Sequence, residues 1–264
     1  MGELKSGVPL VRALERGLAI LEAFDTETPQ LSLSELAKRT SLDVGTTRRM
    51  LQTLMITGFV GYNENASRYF LTRRILEISA AVETGRDLRE VSTGYLRNIA
   101  EKTGATVFLW TYDNGFALCV DRIRATIPNV SATWFTVGGK TTLNCGAGPR
   151  VLLAYLSPAE RADALNQDMI KRTPASIVDR SVLSRDASEI REKGWDLAVD
   201  DFVVGLAGLG VPILTVTGVL VGALSISSLT TIFGDPASPT HLDLVRASAV
   251  AIGAQMSGDD EHLR

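Results

Sequence analysis

Two cysteines and two histidines are all that 264 residues offer to thiol chemistry or to a soft metal. Cys119 and Cys145 stand far apart with no partner spacing, and with His241 and His262 they form no zinc pattern, so reduced thiols and no metal are expected. Charge of one sign is missing too: a formal net charge of -3 argues against a generally basic coat for nucleic acid. No apolar run is long enough to span a bilayer, and Met1 to Leu10 lacks the basic-then-hydrophobic order of a secretory signal. A cytoplasmic protein without a membrane partner is the expectation. Neither a repeat nor a low-complexity tract is present.

What is there divides in two. Residues 34–74 hold Lys38, Arg39, Arg48, Arg49, Arg68, Arg73 and Arg74 against only Glu35, Asp43 and Glu64, a local surplus of +4 on an acidic chain. Such a patch suits a small nucleic-acid-binding module. Around it, Arg12 to Phe24 repeats Leu14, Leu18, Leu21 and Ala23 near a 3.6 period, which predicts an amphipathic helix. Pro29 breaks the pattern. Serines at 32 and 34 then suit the start of a short helix with Leu36 and Ala37 inward, and Asp43 caps another over Val44 to Leu54 with Thr47, Met50, Leu51 and Leu54 on the core side. After Gly58 the period changes to two: Phe59 to Tyr62 and Arg68 to Leu71 flank the polar cluster Asn63 to Ser67, a hairpin. Three helices and a hairpin predict a winged helix-turn-helix over residues 1–71.

In such a module the second helix of the pair enters the major groove. Ser34, Val44, Gly45, Thr46, Arg48 and Arg49 are the expected DNA-facing residues, with Arg68 at the hairpin tip meeting a phosphate or the minor groove. Gly45 costs a helix about 1 kcal/mol relative to alanine, which suits a close backbone approach. Each arginine can take a phosphate or the O6/N7 edge of guanine. A solvated helix face, or a winged helix that binds protein alone, stays open on the residues themselves.

Ile75, Ile78 and Val82 predict a linker helix over 72–86. From residue 87 a second domain is expected to run to 264. It opens with a helix over Leu88, Val91, Tyr95 and Ile99, then a strong hairpin, Thr106 to Tyr112 and Phe116 to Arg122 about Asp113-Asn114-Gly115. A capping box at Ser157 and Glu160, a helix from Leu183 to Lys193, strands over 195–200, 209–216 and 219–228, and a last helix from Pro239 to Met256 follow. Hairpins with flanking helices favour α+β with an antiparallel sheet over a doubly wound parallel one.

"TLNCGAGPRVLLAY", Thr142 to Tyr155, is a glycine-bracketed turn running into a helix. A phosphate loop would need glycine five residues before the Gly139-Lys140-Thr141 triplet, where Trp134 stands, and no other cofactor motif is present. A Cys145-dependent enzyme would need a base, and the sequence places no histidine nearby. Binding of an anion by the first N–H groups of the helix remains, beside the plainer reading of a helix start packed under a sheet. Pro149 has no N–H, so Gly146, Ala147 and Gly148 would be the donors, with Cys145 as wall.

The chain resembles the IclR-type transcriptional regulators over nearly its whole length. The resemblance rests on "ALERGLAILEAF" (Ala13 to Phe24), "LSLSELAKRTSL" (Leu31 to Leu42), "TTRRMLQTL" (Thr46 to Leu54), "GFV" followed by "RYFLT", "CVDRI" (Cys119 to Ile123) and "GALSISS" (Gly222 to Ser228). It implies a winged helix-turn-helix joined to a GAF-like effector domain. It further implies a homodimer or dimer of dimers on an inverted-repeat operator in double-stranded DNA, and repression of a catabolic operon under control of a small organic acid. By the same resemblance the effector carboxylate lies at Gly146 and Ala147 and near Ser225 and Ser227. Gly45-Thr46-Thr47 departs from the family's Ser/Ala-Thr-Val, and Pro149-Arg150 from its glycine then lysine. Where pockets for small keto acids carry aspartate and cysteine, this chain has Ala198 and Gly208. A larger, aromatic acid is therefore expected, walled by Trp110, Phe108 or Trp134, with Asp201 accepting a ligand hydroxyl.

Overall fold

The computed structural model describes residues 11–25, 28–79, 86–124 and 135–257. Contacts divide the chain into two compact units, Met1–Glu83 and Thr84–Arg264, each with its own core.

In the first unit, helices α1 (Arg12–Glu22), α2 (Leu33–Thr40) and α3 (Val44–Ile56) pack over Ile20, Leu31, Leu36, Leu51 and Val60. A capping box opens α2: Ser32 Oγ accepts the Glu35 N–H and Glu35 Oε2 accepts the Ser32 N–H at 2.7 Å. Asp43 opens α3 by accepting the Thr46 N–H at 2.8 Å. The wing has three strands where two were expected. β1 (Gln30–Leu31), β2 (Val60–Asn63) and β3 (Arg68–Leu71) pair in the order β1-β3-β2, all antiparallel. Two residues are too few to show a period of two, which is why 25–31 read only as a break. The apolar row of α1 also divides: Ile20 fills the core, while Leu14 is 61% and Leu18 50% exposed, on one face with Val11.

Of the linker helix expected over 72–86, α4 (Arg74–Ser79) is described, and the expected position Val82 lies outside the described residues.

The second unit is a six-stranded antiparallel sheet in the order β6-β5-β4-β9-β8-β7. Its strands are β4 (Thr106–Asp113), β5 (Phe116–Ile123), β6 (Lys140–Thr141), β7 (Asp196–Val199), β8 (Leu206–Leu214) and β9 (Leu220–Leu229). The β4–β5 turn is the expected one: Asn114 and Gly115 both have positive φ, 48° and 89°. One sheet face is covered by α5 (Arg86–Thr103) and α9 (Leu242–Met256), the other by α6 (Ala147–Tyr155), α7 (Pro158–Asn166) and α8 (Arg180–Lys193). Successive strand residues point to opposite faces, and the two cores sort accordingly. Val107 and Leu109 of β4, with Leu224 and Ile226 of β9, join the α5/α9 core; Phe108, Trp110 and Ala223 join the α6/α8 core. Burial on both faces explains why β4 reads as an apolar run without alternation.

α8 begins three residues before the expected Leu183, because Asp179 accepts the Ser181 and Val182 N–H groups. β8 starts at Leu206, earlier than expected, and α9 at Leu242, later.

Candidate functional site

On the first unit, α3 presents Val44, Gly45, Arg48 and Arg49 to solvent, and Ser34 is exposed on α2. Thr46 is different. It is 5% exposed, its N–H is taken by Asp43, and its Oγ1 accepts from Arg49 Nη2 at 3.3 Å. Thr46 is thus removed from the expected outer face, because position 46 lies in the first turn under its own cap. Arg68 is corrected as well. It is the first residue of β3, not the turn tip, and its Nη1 donates to Gln30 O at 2.9 Å and to Glu35 Oε2 at 3.0 Å. It ties the wing to the α2 capping box. Arg39 likewise has partners within the unit, donating to Ala23 O and to Asp25 Oδ2 at the surface. The +4 surplus is therefore partly spent on pairs inside the unit, and Arg48 and Arg49 are the basic residues that α3 itself presents.

The second unit holds a cavity between the start of α6 and strands β4, β8 and β9. Gly146, Ala147, Gly148, Ala198, Asp201, Gly208, Ser225 and Ser227 line it, and Phe108, Trp110, Phe135 and Phe202 wall it. Gly146, at φ +83°, makes the turn from which α6 leaves. Gly148 has no room for a side chain: a Cβ there would lie 2.4 Å from the Trp110 indole and 2.9 Å from Ser225 Oγ. That close approach lets Trp110 Nε1 donate to Ser225 Oγ at 2.9 Å. Trp110 is therefore more than apolar wall; it orients one of the two serines. Ser227 donates to Ala207 O at 3.2 Å. The aromatic rings form one cluster, Trp110 edge-on to Phe135 at 4.7 Å and Phe135 against Phe202 at 4.5 Å, with the Arg172 guanidinium 4.1 Å over Phe202.

Two expectations about donors change. Asp201, 5% exposed, accepts the Gly146 N–H at 2.7 Å through Oδ2, so that donor is already engaged by the protein's own carboxylate. Burial raises the Asp201 carboxyl above its ordinary range, against the lowering effect of the Gly146 N–H and Arg150. Cys145 does not line the cavity. It is buried beside Asn144 Nδ2 at 3.2 Å and Ile170 O at 3.7 Å, and burial pushes its thiol up, away from thiolate character. His241 stands at the start of α9, and His262 and Trp134 lie outside the described residues.

Arg150 also stays out of the cavity. It bridges Asp196 on β7 at 2.9 Å and Asp186 on α8 at 3.4 Å, anchoring α6 one turn beyond the site. Burial pushes the Asp196 carboxyl up to about 6 even beside Arg150. Phe135 and Phe202 are wall residues that sequence reasoning did not single out. Phe202 follows Asp201 directly, the one signal available; Phe135 stands alone before Val137-Gly138-Gly139 with no pattern around it.

No helix among the described residues is long and apolar enough to cross a membrane. The family model for the C-terminal region of the bacterial transcriptional regulator IclR matches residues 80–254, and that for the IclR helix-turn-helix domain matches residues 13–64. The HTH-type transcriptional regulator XynR of Escherichia coli is 24% identical over 93% of this chain and 97% of its own length. The p-hydroxybenzoate hydroxylase transcriptional activator of Acinetobacter baylyi is 27% identical, covering 83% of this chain and 82% of its own. An IclR homologue from Microbacterium hydrocarbonoxydans, solved with 4-hydroxybenzoate, has a TM-score of 0.77 at 18% identity, over 93% of this chain and 99% of that one.

Proposed function

Since the chain belongs to the IclR family of bacterial transcriptional regulators and is not an enzyme, we propose that it represses a catabolic operon and is released by an aromatic carboxylic acid. In this reading a homodimer, or a dimer of dimers, places one α3 per protomer in successive major grooves of an inverted-repeat operator. Arg48 and Arg49 supply phosphate or guanine contacts, Ser34 a further phosphate contact, and Val44 and Gly45 the close approach. The exposed row of Leu14 and Leu18 on α1, with Val11 just before it, supports a second copy as partner.

The observation that carries the effector class is the aromatic wall of Phe108, Trp110, Phe135 and Phe202 around the small residues that open α6. Rings take offset or edge-on partners at such distances. The carboxylate is held by the Gly146, Ala147 and Gly148 N–H groups at the helix start, with Ser225 and Ser227 beside them, and Gly208 leaves space where a polar side chain would close it. Effector binding shifts the protein between two states only so far as the acid prefers one of them.

Calorimetry against 4-hydroxybenzoate, benzoate, pyruvate and glyoxylate tests the class. Aromatic acids should bind and keto acids should not; tight glyoxylate binding with no aromatic response overturns it. A gel shift on the protein's own upstream DNA should weaken steeply with salt and be reversed by the bound acid. Deleting the gene should raise expression of the adjacent operon; a fall makes the protein an activator.

A further inference from the structure

We propose that Asp201 is a resident competitor for the effector: its carboxylate holds the start of α6 in the unliganded chain, and an incoming carboxylate must take the Gly146 N–H from it. The proposal rests on the carboxylate reading of the cavity given above. Asp201 Oδ2 lies 2.7 Å from Gly146 N, and the residue lines the same cavity as Ala147, Gly148, Ser225 and Ser227. A helix start prefers an anion, and here the chain supplies its own.

The backbone around Asp201 is fixed. Asp200 adopts the left-handed region at φ +57°, its Oδ1 accepts the Gly205 N–H at 2.7 Å and its N–H donates to Leu206 O at 2.9 Å. From the other side Thr173 Oγ1 donates to Asp200 O and Ser176 Oγ to Asp201 O, both at 2.6 Å. Asn144 Nδ2 joins that same segment to the turn before α6, at Ile170 O and Ile177 O. With the main chain tied on both sides, the competition is a rotation of the Asp201 side chain, not movement of a loop.

Charge makes the two carboxylates exclusive. The titratable groups facing Asp201 are Arg150 of α6, Cys145 before it and Asp196 of β7, while Arg172 stacks over the neighbouring Phe202 ring. Arg150 is already shared by Asp186 and Asp196, so no unshared cation of α6 neutralises a second carboxylate. Two carboxylates in one buried site cannot both stay ionised at their usual values. On effector binding Asp201 loses the Gly146 N–H and gains a like charge, both of which draw a proton onto it. Its effect is to set the effector threshold: a small acid with only its carboxylate to offer gains little from the exchange, whereas an aromatic acid adds the ring contacts.

The full chain is titrated by calorimetry with benzoate and 4-hydroxybenzoate at pH 6, in two buffers of different ionisation enthalpy, as wild type, Asp201→Asn and Asp201→Ser. Melting curves establish that each variant is folded. Both variants should bind about tenfold more tightly than wild type, and wild type should take up part of a proton that the variants do not. Equal or weaker binding by folded variants overturns the proposal while leaving the carboxylate reading intact. No binding of either acid by any of the three proteins overturns both. If neither variant folds, the wild-type chain decides, with Asp196→Asn as background: uptake that persists there supports the competitor, and no uptake overturns it.

Discussion

The two units use polar groups in opposite ways. On the first, the residues that α3 offers are exposed, and their partners would arrive with DNA. In the second, three of the polar groups around the cavity already have partners inside the protein: Gly146 with Asp201, Ser225 with Trp110, Ser227 with Ala207. An exposed face can exchange water for phosphate at little cost, whereas a buried donor left unmatched costs about 1–3 kcal/mol. A surface for DNA can therefore wait open, but a buried pocket has to be satisfied before its ligand comes. In the proposed reading, binding in the second unit is an exchange of partners.

The strongest way to break this contrast is to fill the buried site. Gly148→Val drives a side chain into Trp110 and Ser225, and overpacking of this kind costs about 1–3 kcal/mol. Thermal melts should show the loss, and calorimetry should show no acid binding. Retained effector affinity would mean that α6 does not open the pocket.

The buried charges give the next effect. A carboxyl whose folded value is raised, as for Asp196 at about 6, makes the folded chain bind its proton more tightly than the unfolded chain does. Its contribution to stability is therefore largest in acid and falls as pH rises from about 4 to 6. The fall is on the order of 3 kcal/mol at most. Asp196→Asn should flatten that part of the stability profile relative to wild type; an unchanged profile would show that Arg150 fully offsets the burial.

On the open face, Arg48→Ala should weaken operator binding by about 1–3 kcal/mol and lower its salt slope by about one if the contact is to phosphate, or relax base preference if it is to guanine. Effector affinity in calorimetry should not change. Arg68→Ala is the smallest: its guanidinium is part of an exposed internal pair with Glu35, whose loss should change little. Gel shifts should show a smaller loss for Arg68→Ala than for Arg48→Ala, and the reverse order would return Arg68 to the DNA face.

What the sequence made legible was local. Asp43, the Ser157 and Glu160 pair and Asn114-Gly115 act within three or four residues, and the structure uses each as its spacing implied. Long-range partners were not legible. Arg68 meets Glu35 across 33 positions, Gly146 meets Asp201 across 55, and Trp110 meets Ser225 across 115. Nothing in the sequence neighbourhoods of Arg68 and Asp201 names these partners. Cys145 misled for a related reason: adjacency in "CGAG" says nothing of which side of the turn the thiol takes, and it faces Ile170.

The division of β4 between two cores has a further consequence. Phe108 and Trp110 address the cavity while Val107 and Leu109 address α5 and α9. The central sheet is a bulkhead: alternate positions along one strand answer to different neighbours. Point changes on the cavity side can reshape the cavity while the opposite wall keeps its packing. A one-residue insertion in β4 would exchange the two sets and ruin both. The shape of the cavity in this architecture can thus drift by substitution far more readily than by insertion or deletion.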